Sequence, residues 1–224
     1  MRYELRSTFR RIAWMDETPP KATEGLPDTS PVILYANHHH FYDGHLLWYL
    51  LRHALGRPGT IWMEEWDRYP FFAAVGAQPF PTDDSRRRAA TIRRTARRFR
   101  EAPRTVMVYF PEGELHTPAE GIHPFPEGAA QRLARFYPEA TWWPIAIDVT
   151  FWGDKHPTAC LLPGTPHSAP DGNERDRLTR LWHTLRETLP EAPHHVLLNG
   201  RPSPTDVWDF SRFASLFARY LKPL

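Results

Sequence analysis

Val32-Ile33-Leu34-Tyr35-Ala36-Asn37-His38-His39-His40-Phe41-Tyr42-Asp43 is the stretch on which the fold turns. Five apolar residues in succession read as a strand. The polar run after them reads as a strand-to-helix junction, where side chains project from a rigid edge. His38 and Asp43 stand five positions apart across that junction. A carboxylate hydrogen-bonded to one imidazole nitrogen fixes the tautomer and makes the other nitrogen a proton acceptor. Such a pair can take the proton from a hydroxyl or amine as that group attacks an activated acyl carbon. No Ser or Cys in a recognisable nucleophile setting lies beside it, which favours direct transfer over a covalent intermediate.

Outward from this junction, strand-like and helix-like segments alternate, the pattern of an α/β domain built in layers. Strands are expected at 31–36, 60–64, 77–81, 104–110, 142–150 and 158–163. Thr105 to Phe110 is apolar almost throughout, as in a strand covered on both faces. Helices are expected at 42–54, closed by Gly56, at 84–101, ended by Pro103, and at 127–137, 173–188 and 205–221. The last carries Val207, Phe210, Phe213, Phe217 and Leu221 as a helical stripe. The first fourteen residues place Leu5, Phe9, Ile12 and Ala13 on one helical face and Arg2, Arg6, Arg10 and Arg11 elsewhere. Two readings fit them equally: a basic amphipathic helix lying on anionic lipid, or a helix packed on the domain. The whole of 1–224 is read as one domain: an N-terminal amphipathic segment and loop (1–29), a motif-bearing core (30–165) and a C-terminal helical part (166–224).

Composition narrows the class. The 224 residues are 41% hydrophobic and 24% charged, close to globular averages, so wholesale disorder is excluded. The 24 prolines are scattered between periodic segments and act as loop punctuation. One cysteine, Cys160 in an apolar setting, rules out an internal disulfide and a cysteine zinc cage and reads as an inert buried thiol. No apolar run reaches the roughly 20 residues that span a bilayer, and the N-terminus has no signal-peptide core. The expected compartment is cytoplasmic.

A second constellation follows the most strand-like segment: Tyr109-Phe110-Pro111-Glu112-Gly113-Glu114-Leu115-His116. Glu112 is thereby placed at a strand end, where α/β sheets bind ligands. Pro111 and Gly113 force a tight turn that lets backbone amides and a carboxylate come close to a ligand.

In these residues the chain resembles the glycerolphosphate and lysophospholipid acyltransferases of bacterial phospholipid synthesis. Their first block, Asn-His-x-x-x-x-Asp, is matched by Asn37, His38 and Asp43. An aromatic-rich second block leading to a glycine is matched by Pro70 to Phe80, with Gly76 as that glycine. The third, Phe-Pro-Glu-Gly, is Phe110 to Gly113, trailed by Phe125 and Gly128-Ala129-Ala130; the fourth is Pro144-Ile145-Ala146-Ile147. The likeness covers about residues 30–165, in order and spacing. It implies a largely parallel sheet flanked by helices, with His38 as general base, Asp43 orienting it, and Asn37, Gly76, Pro111, Glu112 and Gly113 around the substrate; His116, which closes the same constellation, is expected there with them. It also implies acyl-CoA or acyl-carrier protein as co-substrate, with no other cofactor and no metal. On a helix, His39 or His40 would reach Asp43 more directly; the resemblance selects His38. His45 reads as a packing or solvent-facing residue.

The departures bear on the acceptor. Where the family continues Glu-Gly with Thr-Arg-Ser, this chain has Glu114-Leu115-His116; Thr82-Asp83 stand in place of an expected arginine, and Pro126-Glu127 in place of a lysine. Those basic groups would hold an acceptor's phosphate. Arg86 and its neighbours Arg87 and Arg88 are the available substitutes. A lysophospholipid, a glycolipid and an amine-bearing lipid therefore all remain open.

Eight arginines between Arg86 and Arg100 surround an apolar stripe of Ala89, Ile92, Ala96 and Phe99. They form either a solvated helix face or a dock for anionic headgroups, for the phosphates of coenzyme A or for an acidic carrier. No nucleic-acid motif accompanies them. The sequence thus predicts an O-acyltransferase, peripheral on the inner face of the cell membrane, held there by the N-terminal segment or the arginine-rich helix. The competing class is a metal-dependent hydrolase that draws ligands from His38, His39, Asp43, Glu112, Glu114 and His116. Pro111 and Gly113 speak against it, because they break the strand that would align those ligands.

Overall fold

The computed structural model describes residues 1–188 and 193–203. Val32–Ala36 (β2) is buried along its whole length between two parallel neighbours, Val106–Tyr109 (β5) and Thr141–Thr150 (β6). Gly59–Met63 (β3) and Ala77–Pro79 (β4) extend the sheet on one side. On the other lie Thr158–Pro163 (β7), Arg11–Trp14 (β1) and His195–Asn199 (β8). The strand order is β4-β3-β5-β2-β6-β7-β1-β8, and only the β6–β7 and β1–β8 pairings are antiparallel. This is an α/β fold with an eight-stranded, mostly parallel sheet flanked by helices.

Alternation along β2 divides the core into two layers, because successive side chains point to opposite faces. Val32, Leu34 and Ala36 pack with Leu46, Leu47, Leu50 and Leu51 from the helix after β2 and with Leu5 and Phe9 from the N-terminus. Ile33 and Tyr35 pack on the other face, with Met107, Phe99, Leu133 and Trp182. Asp43–Tyr49 (α2) runs into a π-helical turn, Leu50–Leu55, that stops at Gly56 in the left-handed conformation. Ser85–Glu101 (α3) is capped by Asp84, whose carboxylate accepts from Arg87 N at 2.9 Å. Ala129–Phe136 (α4) and Glu174–Thr188 (α5) complete the second layer. Every strand and helix expected between residues 31 and 188 is present, within a few residues at the ends.

Both ends of the chain differ from expectation. Arg2–Thr8 forms a short helix (α1), but Arg11–Trp14 is an internal strand of the sheet, with Ile12, Ala13 and Trp14 wholly buried. Leu5, Phe9 and Ile12 satisfy a helical pattern by coincidence of spacing. Their apolar surface is spent on the core, which is the packed-on-the-domain alternative of the two N-terminal readings. The C-terminal part is not wholly helical either, since β8 closes the sheet edge against β1. The helix expected over 205–221 lies outside the described residues. Cys160 is buried, and that burial pushes its thiol up to about 12, as an inert thiol requires.

Candidate active site

Register brings the two sequence constellations together. Tyr35 of β2 pairs with Tyr109 of β5, so His38 and Glu112, each three residues further on, leave the sheet side by side at its C-terminal edge. The backbone N–H of His38 donates to Glu112 Oε1 at 2.9 Å. The His38 ring stacks on Phe110, with centroids 4.2 Å apart and planes inclined by 15°.

Asp43 opens α2 and is fully buried. One oxygen, Oδ2, accepts from the backbone N–H groups of His39 and His40, both at 2.8 Å, and from His38 Nδ1 at 3.1 Å. Since a carboxylate only accepts, Nδ1 of His38 carries the proton and Nε2 keeps its lone pair. Nε2 makes no hydrogen bond among the described residues, and the His38 side chain is 24% exposed. The geometry therefore leaves one oriented imidazole nitrogen open to solvent-side approach.

The neighbouring histidines are accounted for. His39 Nδ1 faces the Asn37 amide at 3.1 Å, and Nε2 faces the Gly121 carbonyl at 3.1 Å. That pattern fixes a neutral imidazole donating through Nε2, and burial keeps its pKa below the usual value against the pull of Glu112. Asn37, expected near substrate, is buried and spends its amide on His39 and on both backbone groups of Ile147, so it ties β2 to β6.

Glu112 is likewise turned inward. Its Oε1 holds the His38 amide, while Oε2 accepts from His116 Nε2 at 2.6 Å and from the His123 amide at 2.7 Å. Here the carboxylate braces the turn that carries His38, with both of its oxygens already engaged by donors of the protein. Pro111 is buried, and Gly113 sits at φ +79° with open space where a side chain would be. Gly76 does not reach the site: it turns into β4 at φ +98°, and a Cβ there would collide with the Gly59 carbonyl of β3. Arg86 is exposed in the first turn of α3, which leaves the sheet at β4, three strands from β2. Arg87 is paired with Asp67, and Arg88 with the carbonyls of Pro81 and Thr82. Of the ligands a metal hydrolase would need, only His39, Glu112 and His116 converge, within 4.8 Å, and the hydrogen bonds just described engage both His39 nitrogens.

Three groups at the site went unread in the sequence. His123 and Glu120 return on a loop that follows β5, pinned by Arg175, whose guanidinium donates to the carbonyls of Ile122 and His123. Asp148 is buried near the end of β6; burial raises its pKa, opposed by Arg186 and His40. None lies in a recognisable local motif, because only the long loop and the β2–β6 pairing bring them near.

A family model described as Acyltransferase matches residues 21–148, more than half of the chain. Among solved structures, the chain is similar to the 1-acyl-sn-glycerophosphate (LPA) acyltransferase PlsC from Thermotoga maritima. The match has 13% identity and a TM-score of 0.47 and covers 80% of this chain and 71% of that one. No curated protein matches the chain.

Proposed function

Because this chain belongs to the acyltransferase family, we propose that it moves a fatty acyl group from a thioester, acyl-CoA or acyl-carrier protein, to the hydroxyl of a lipid acceptor. The observation that carries this reading is His38, oriented by Asp43 through Nδ1 and left with Nε2 open. Nε2 takes the hydroxyl proton as the acceptor oxygen attacks the thioester carbonyl. The carbon–oxygen bond forms, the tetrahedral intermediate collapses, and the thiolate leaves with the proton returned by the imidazolium. Asp43 stabilises that imidazolium while it exists. Phe110, stacked beneath the ring, limits how His38 can rotate. Phe41 and Leu115 stand exposed on the two flanking loops and suit the company of an acyl chain.

Glu112 and Gly113 serve this scheme by shaping the turn that holds His38, and Glu112 reaches it through the backbone. No helix among the described residues is long and apolar enough to cross a membrane. With the N-terminal apolar face buried, the outer face of α3 is left as the surface for anionic headgroups. Arg93, Arg94, Arg97 and Arg100 line a shallow groove there, of about 380 Å³. That groove supports a peripheral placement on the inner face of the membrane.

The test is free-thiol release from acyl-CoA by purified protein, with and without a total lipid extract, followed by identification of the labelled product. Acceptor-dependent release that disappears in His38→Ala supports the proposal. Release that ignores the acceptor, or a His38→Ala enzyme with near-normal turnover, refutes it.

A further inference from the structure

One ring on the loop after β5 sits where only its cation satisfies both neighbours. His123 Nδ1 lies 3.0 Å from Glu114 Oε1, and its Nε2 lies 2.9 Å from Glu120 Oε2. A carboxylate oxygen only accepts, and a neutral imidazole carries a single N–H. Both contacts are therefore hydrogen bonds only while His123 holds two protons. In keeping with this, the Glu114 hydrogen bond raises the His123 pKa above the usual 6.5; burial opposes the rise and Glu120 adds to it.

We propose that His123 is a positioning residue: as a resident imidazolium it draws Glu114 and Glu120 together across the 114–123 loop and so holds that loop against the turn that carries His38. Its effect on turnover rests on the acyl-transfer reading; its charge does not.

The route from this ring to the base is short. The His123 N–H donates to Glu112 Oε2 at 2.7 Å, and Glu112 Oε1 accepts from the His38 N–H at 2.9 Å. The loop also reaches His38 directly, through the His116 N–H to the His38 carbonyl at 3.3 Å. Below His123 lies the His116 ring, with centroids 3.6 Å apart and planes inclined by 5°. That parallel stack keeps the in-plane lone pairs of the two rings from converging, and His116 Nδ1 faces the Thr117 carbonyl, so the cluster suits a proton and not a metal ion. Other ionisable groups enter from three elements. Glu112 holds the far side of His116 at 2.6 Å, His39 from the turn after β2 meets the His116 ring at 4.8 Å between centroids, and Arg175 of α5 donates to the His123 carbonyl at 3.2 Å. Loss of the His123 proton would set a lone pair against a carboxylate and loosen the loop. Exposed ion pairs add little to global stability, so the effect belongs to local order and rate.

The experiment titrates the full-length chain with pH while NMR follows the ring nitrogens of His123 and hydrogen exchange follows the His38 and His123 amides. Both ring nitrogens should stay protonated at about pH 6.5, and both amides should lose protection as the proton leaves at higher pH. His123→Arg keeps the charge, so it should hold that protection, and the alkaline side of the thiol-release profile with it. His123→Phe keeps a flat ring without the charge: kcat should fall about fivefold with KM nearly unchanged, and the step at the His123 midpoint should vanish. Circular dichroism verifies the folding of both variants. A His123 ring that is neutral at about pH 6.5, or amide protection that ignores its titration, would overturn the assignment whatever the thiol-release assay shows. If the wild-type chain transfers no acyl group, the acyl-transfer reading falls, and the ring and amide measurements still decide the role of His123.

Discussion

Two turns leave the same edge of the sheet, one after β2 and one after β5, and each sets a histidine against a buried carboxylate. His38 meets Asp43 at 3.1 Å, and His116 meets Glu112 at 2.6 Å. Proximity to a carboxylate therefore does not separate them. What separates them is the second nitrogen and the surroundings: His38 Nε2 is open and 24% of the side chain is exposed, whereas the His116 side chain is 6% exposed and its Nδ1 faces the Thr117 carbonyl and Glu120. The first turn presents a proton acceptor, and the second braces it. On the proposed mechanism, the base is recognised by what its far nitrogen lacks.

The sharpest way to break the comparison is to remove each ring in turn. His38→Ala should lower acceptor-dependent thiol release by about 10³-fold, within the usual range for a lost general base, with circular dichroism unchanged. His116→Ala should cost about tenfold or less, because it loosens Glu112 without touching the base directly. Equal losses would collapse the distinction between base and brace.

Replacing the two carboxylates by amides sharpens it further. In Asp43→Asn, the amide NH₂ can occupy the position of Oδ1, which has no hydrogen-bond partner among the described residues, leaving Oδ2 to its three donors. Orientation survives but charge does not, so turnover should fall about 10²-fold. Glu112→Gln has no such refuge: both oxygens accept, and an NH₂ on either side faces an N–H donor. Its larger effect should be on stability, about 2 kcal/mol by denaturant unfolding, with turnover reduced less than in Asp43→Asn. The reverse ranking would mean that Glu112 acts in the chemistry.

The core of this arrangement was legible in the sequence because it is local. The buried run of β2, the apolar β5 and the two turns that follow carry their own patterns, and parallel pairing of like strands then makes His38 and Glu112 neighbours. The errors arose where position depends on distant partners. Ile12 and Trp14 fit a helical stripe, yet pairing with β7 and β8 draws them into the sheet. Gly76 was assigned to the site from its place in a block, but its positive φ serves close packing against β3. His123 and Glu120 follow a bend of the 114–123 loop that Arg175 of α5 pins from 52 residues along the chain. No local signal encodes that contact. Arg175→Ala removes these hydrogen bonds and should lower stability by about 1–2 kcal/mol, while leaving the His38 turn and most of the turnover intact.

The smallest effect belongs to His45, the residue that packs directly behind the first turn. Its ring touches Phe41, Tyr42 and Phe72, with Glu4 of α1 4.0 Å away and the N-terminal amine also within electrostatic reach. Burial is the main cause holding its pKa below the usual 6.5; Glu4 opposes the shift and the N-terminus adds to it. The unfolded chain therefore binds this proton more readily than the folded one. Stability is complete above about pH 6.5 and declines as pH falls from there towards the lower folded-state value. In His45→Gln this part of the decline should vanish, so unfolding midpoints of variant and wild type should converge below that window. The second turn gives no such signature through His45. A wild-type stability profile flat from pH 7.5 to 5 would mean that the ring is hydrated as well in the fold as outside it, and that the first turn is less tightly packed from behind than its burial indicates.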